Sequence, residues 1–139
     1  VFSIKYMKLT ILKSKLHRAK ITDVHLDYEG SCAIDENLLE ASEINEFEML
    51  HIYNLNNGKR FTTYAIKAER GSQTISLNGA AAFQGNKGDL IIICTYAEIK
   101  KNELSKHKPK LIYFKNNTNL IDQIKSDIAI QAKNKVVSF

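Results

Sequence analysis

Arg60 carries a planar fork of donors suited to holding a carboxylate by two parallel hydrogen bonds, and Tyr64, further along, carries a phenol that can donate a proton. Asn78-Gly79-Ala80-Ala81-Ala82 is a run of small residues, too polar at its start for a simple strand, where backbone can approach a ligand closely. Gly30-Ser31 sets a hydroxyl beside a carbonyl that has no Cβ to shield it. Each also has an ordinary reading: a surface charge for Arg60, an inward-facing strand residue for Tyr64, and turns for Gly30-Ser31 and Asn78-Gly79. Taken singly, the ordinary readings prevail, so only the combination can carry a function.

The elements that must position these residues read mostly as short strands. Lys8 to Leu12 and Asp23 to Tyr28 alternate, the second with Val24, Leu26 and Tyr28 on one half-buried face. Asp35 is a good N-cap for a short helix whose apolar face runs through Leu38, Leu39, Ala41 and Ile44. Met49 to Asn54 and Arg60 to Ile66 are strands flanking the Asn57-Gly58 turn, and Arg70-Gly71-Ser72 turns the chain into Thr74 to Leu77. Leu90 to Cys94 is a continuous apolar run that suits a fully buried strand, and Leu111 to Phe114 follows the only proline, Pro109. Beyond Asn116-Asn117 the composition shifts, and Leu120, Ile121, Ile124 and Ile128 have the spacing of a weakly amphipathic helix. Many short strands separated by turns predict a small, mainly β barrel.

The chain has 139 residues, 44% of them hydrophobic, enough for one modest core without disulfides or metal. Cys32 and Cys94 match no zinc or redox spacing, which points to a reducing cytoplasm. No apolar run approaches the roughly 18 residues that would span a bilayer, so a soluble protein is expected. Val1 to Tyr6 lack the features of a secretory signal and read as an extension outside the fold. A formal charge of +5 favours anionic partners, nucleic acid and small dicarboxylates alike.

The segment Tyr28-Glu29-Gly30-Ser31-Cys32-Ala33-Ile34-Asp35 resembles the self-processing site of the pyruvoyl-dependent aspartate 1-decarboxylases. The resemblance runs from Met7 to about Phe114, through Lys15-Leu16-His17-Arg18, Asn57 to Tyr64, Glu69-Arg70-Gly71-Ser72 and Asn78-Gly79-Ala80-Ala81. It implies a mainly β double-psi β-barrel with short helices over residues 7–116, an extension at 1–6 and a tail at 117–139. In such a protein Ser31 attacks the Gly30 carbonyl, the chain breaks between them, and Ser31 becomes a covalently bound pyruvoyl group, with no metal. That group takes the substrate amine as a Schiff base and acts as the electron sink for decarboxylating L-aspartate to β-alanine, a supply for pantothenate biosynthesis.

The same resemblance makes Thr63 a support for processing and Tyr64 the acid that reprotonates the α-carbon. It places Lys15, His17, Arg60, Asn78, Gly79, Ala80 and Ala81 around the substrate, without deciding which basic group holds which carboxylate. Tyr53 stands where some relatives carry tryptophan, which keeps an aromatic wall and adds a hydroxyl. A cytoplasmic homotetramer with active sites at subunit interfaces is implied, Lys15 of one chain serving its neighbour. Whether a maturation factor assists cleavage stays open.

The main competitor is a basic barrel binding single-stranded nucleic acid through Lys8, Lys13, Lys15, Arg18 and Lys20. It accounts for the charge but not for the ordered blocks around Gly30-Ser31 and Arg60 to Tyr64. The expectation is therefore an enzyme that binds neither nucleic acid nor membrane.

Overall fold

The computed structural model describes residues 3–133. Its elements are β1 (Lys8–Lys20), β2 (Asp23–His25), β3 (Ser31–Asp35), α1 (Glu36–Ser42), β4 (Met49–Asn54), β5 (Arg60–Ala68), β6 (Ile75–Asn78), β7 (Leu90–Lys100), β8 (Lys110–Phe114) and β9 (Ile121–Lys125), with short 3-10 turns at Ile4–Tyr6, Gly79–Gln84 and Lys101–Lys106. The strands are hydrogen-bonded in the order β2-β6-β3-β5-β4-β7-β1-β8-β9. The fold is mainly β with short helices, as expected.

β1 is much longer than the alternation at Lys8 to Leu12 suggests. It pairs antiparallel with β7 along most of its length, and two bulges, at Leu12/Ser14 and Leu16/Ala19, reset the pattern and hide the continuation from a period-two reading. β5 is shared between two neighbours: its first half runs antiparallel to β4, its second half parallel to β3, with Cys32 opposite Ala65. Leu16, Ile21, Ile34, Leu50, Ile52, Ile75, Leu77, Ile91, Ile93 and Ile112 lie in the buried core, where isoleucine, β-branched and suited to packing on pleated strands, predominates.

Three expectations are corrected. The tail spacing predicts a helix, but Ile121–Lys125 is a strand along the outer edge of β8. Leu120, Ile124 and Ile128 are exposed and of the stripe Ile121 alone packs against the core, whereas the open edge of β8 supplies backbone partners. Leu26 and Tyr28 are exposed, because β2 ends at His25 and the chain leaves the sheet. Finally, Leu90 and Ile92 are only partly buried, so β7 alternates where it was expected to be buried throughout.

Candidate active site

α1 and the turn after β5 hold the far end of β3. Asp35, buried, accepts hydrogen bonds from the backbone N–H groups of Asn37, Gly71 and Gln73, capping α1 and tying the 70–73 turn to β3. At the near end, Ser31 is fully buried while Gly30 is exposed. The Ser31 hydroxyl donates to the Glu29 carbonyl at 2.9 Å and accepts from Asn78 Nδ2 at 3.2 Å. Asn78 is aimed in turn by the Ser76 hydroxyl, which donates to Asn78 Oδ1 at 2.8 Å. Sequence reasoning missed Ser76, although strand alternation puts it on the same face as Asn78.

Gly79 is required by this arrangement. Its φ is +64°, and a Cβ there would lie 2.6 Å from Gly30 Cα and 3.2 Å from the Tyr28 carbonyl oxygen. The residue beside the Gly30-Ser31 bond is thus a glycine because backbone occupies the space a side chain would need. Ala80 is exposed and Ala81 buried in the 3-10 turn that follows. β5 brings Thr63 and Tyr64 to the same end of β3, since Ser31 and Tyr64 each precede the first paired residues, Cys32 and Ala65. Thr63 is half-buried and Tyr64 is 36% exposed.

The remaining expected residues lie elsewhere. Register places Lys15, Cys94, His51 and Thr62 in one row across β1, β7, β4 and β5, and Tyr53 opposite Arg60. Arg60 Cζ stacks 4.3 Å from the centre of the Tyr53 ring, and the Tyr53 and Tyr96 hydroxyls are 2.8 Å apart. His51 meets Tyr96 edge-on at 5.0 Å. Burial pushes the Cys94 thiol up, while a hydrogen bond with Tyr96 and the charges of Lys15 and Arg60 draw it back down. Among the described residues, no carboxylate lies within ion-pair distance of Lys15 or Arg60. The face therefore presents two cations and an aromatic wall to an outside anion.

His17 sits further along β1, its ring 5.4 Å from that of Tyr113, lining a cavity of about 490 Å³ with Arg18, Lys115, Asp122 and Lys125. Burial, then the charges of Lys15 and Arg18, lower its pKa to about 4, so it is a neutral imidazole at pH 7. A second cavity, of about 640 Å³, is lined by Asp23 to Tyr28, Ala33, Ser76 and Asn78, on the sheet face that carries Ser31. Neither cavity is lined by Lys15, Arg60 or Tyr64. A single chain thus brings Asn78 and Gly79 into direct contact with the Gly30-Ser31 segment and sets Thr63 and Tyr64 beside it by register, with Lys15 and Arg60 further away on a cationic face. Among the described residues, no three His, Cys, Asp or Glu side chains are grouped to hold a metal ion.

Residues 7–121 match the family described as aspartate decarboxylase. The chain belongs to that family. It is 56% identical over 117 residues to the aspartate 1-decarboxylase of Alkalilimnicola ehrlichii, a match covering 84% of this chain and 93% of that protein. To the aspartate 1-decarboxylase of Methylobacillus flagellatus it is 55% identical over 126 residues, covering 91% and 99%. A distant structural neighbour is the rationally designed mkDPBB_sym_86 protein, with 9% identity, a TM-score of 0.43 and coverage of 55% of this chain and 90% of that one. The family match begins at Met7 and ends at the first residue of β9, so the edge strand lies almost wholly outside it. Membership makes this chain an enzyme of the carboxy-lyase class.

Proposed function

We propose that this chain is the precursor of a pyruvoyl-dependent enzyme that cuts its own backbone between Gly30 and Ser31 and then decarboxylates L-aspartate to β-alanine. The observation that carries the reading is a fully buried serine hydroxyl, held by Asn78 beside a glycine carbonyl, in a chain more than half identical to aspartate 1-decarboxylases. In the self-cleavage, Ser31 Oγ attacks the Gly30 carbonyl carbon and the amide becomes an ester, its nitrogen freed as an amine. Thr63, on the strand beside β3, serves as a donor to the oxyanion that develops. Loss of the Ser31 α-proton expels the Gly30 carboxylate, and water then replaces the amine of the dehydroalanine, releasing ammonia.

The fit of the resulting group to its surroundings rests on Gly79, where any Cβ would fill the space beside residue 30. A pyruvoyl ketone, conjugated with the amide that follows it, supplies an electron sink for the pair left when carbon dioxide departs. The protein's own side chains supply the rest. Asn78 donates beside the reacting carbon, and the short side chains of Ala80 and Ala81 leave room for the substrate. Tyr64 holds the proton that returns to the α-carbon. Arg60 and Lys15 hold the carboxylates, one as a two-pronged fork and the other as a point charge. His17, neutral, contributes as a hydrogen-bonding group rather than as a cation.

Lys15 stands four strands from β3 in the sheet order, which favours a homotetramer whose sites combine the Ser31 segment of one subunit with the cationic face of another. The cytoplasm is the compartment this chemistry and the two unpaired cysteines suit, and β-alanine for pantothenate synthesis is its product. Release of labelled carbon dioxide from L-aspartate labelled in the α-carboxyl tests the activity. The self-cleaved protein releases it, and Ser31→Ala does not; equal release by both would rule out Ser31 as the source of the electron sink.

A further inference from the structure

We infer that Tyr96 is a positioning residue for Arg60, acting through Tyr53; this rests on the reading of Arg60 as a carboxylate holder. Tyr53 and Arg60 are direct cross-strand partners on β4 and β5, so the stacking of the guanidinium on the ring follows from register. Tyr96 belongs to β7, on the other side of β4. The pairing of His51 with Cys94, continued outward, would set Tyr96 opposite Met49 rather than Tyr53. The two tyrosine side chains therefore lean toward each other across His51 and Cys94, and their hydroxyls meet at 2.8 Å. His51, edge-on to the Tyr96 ring with the planes at 88°, braces the far end.

The chain of contacts runs from His51 through Tyr96 and Tyr53 to Arg60, and no link in it is a carboxylate. Arg60 brings several rotatable bonds and, among the described residues, no ion pair, so the plane of its guanidinium is set by the ring beneath it. Among the described residues, that ring is tethered at its free end by one hydrogen bond, the one with Tyr96. Burial, followed by the bond with Tyr53, holds the Tyr96 phenol above its ordinary pKa, so the hydroxyl keeps its proton across the working pH range. Within one chain, Tyr96 lies on β7, three strands from β3 in the sheet order, and its ring and hydroxyl meet His51 and Tyr53. It acts on substrate binding alone.

The test is steady-state kinetics with L-aspartate on purified, self-cleaved enzyme, with cleavage verified by intact mass. Tyr96→Phe is expected to raise KM about threefold to tenfold, with kcat within about twofold of wild type. Tyr53→Phe, which removes the other half of the same bond, is expected to do the same, and the double variant to be no worse than the worse single one. In an Arg60→Lys background, where no flat guanidinium remains to be oriented, Tyr96→Phe adds nothing. An unchanged KM in Tyr96→Phe, or effects of the two phenylalanines that multiply, would overturn the inference. Arg60→Ala separates the two levels: if it leaves KM unchanged, the carboxylate-holding reading falls and the inference with it. If it raises KM steeply while Tyr96→Phe does not, the inference alone falls.

Discussion

Ser31 is buried and twice hydrogen-bonded, to the Glu29 carbonyl and from Asn78, so its hydroxyl is held in a fixed orientation next to Gly30. Its partner across the site, Gly79, has no room for a methyl group. Gly79→Ala is expected to destabilise the fold by about 2 kcal/mol and to leave the precursor largely uncut, read by urea denaturation and by gel after warm incubation. Tyr64→Phe should cut itself normally and then turn over about a hundredfold more slowly, the size of effect a proton donor has. Wild-type turnover in that variant would exclude Tyr64 as the acid. His17 gives a pH signature: between pH 6.5 and about 4 the unfolded chain binds a proton that the folded one excludes. The stability this represents is complete above pH 6.5 and is lost as the pH falls toward 4, so His17→Gln should lose less stability on acidification than wild type. Gly30, Ser31, Arg60 and Asn78 were legible because their neighbours in sequence form ordered blocks. His51 and Tyr96 were not, since each acts through a partner on another strand and nothing local marks it, whereas Ser76 could have been found from strand alternation, two residues before Asn78 on the same strand.

At the scale of elements, the strands around the site are pinned by one buried carboxylate. Asp35 serves three backbone N–H groups from two separate segments, and its loss leaves them buried or poorly solvated. Asp35→Ala is therefore expected to lower stability by about 3 kcal/mol in urea titrations, whereas Asp35→Asn, which keeps an acceptor oxygen, loses less. The capped helix, the Asn57-Gly58 corner and most strands were readable from alternation and turn residues. β1 was readable only up to its first bulge, where an extra residue shifts the pattern to the other face. The tail misled for a different reason: helical spacing of Leu120, Ile121, Ile124 and Ile128 has force only where an apolar surface waits to receive it, and here the unpaired edge of β8 decides the conformation. Asn119 fixes the approach to that strand, donating to the Lys20 and Gln73 carbonyls and accepting from the Lys20 N–H.

For the whole molecule, the division of the site residues into two groups has a consequence that sequence order could not display. A shared site predicts complementation. Ser31→Ala, which keeps its cationic face but cannot be cut, and Lys15→Ala, which is cut but lacks that cation, should each be inactive alone and regain activity when co-expressed. Mixed tetramers isolated by two different tags would carry it, and no activity in verified mixed assemblies would place each site within a single subunit. All of this depends on one covalent event. The most direct test is the intact mass of the purified, denatured protein before and after warm incubation. The prediction is two chains, residues 1–30 and 31–139, the second lighter by one ammonia than an amino-terminal serine would leave it. A single chain that stays at full mass, in protein that nevertheless converts L-aspartate to β-alanine, would contradict the account.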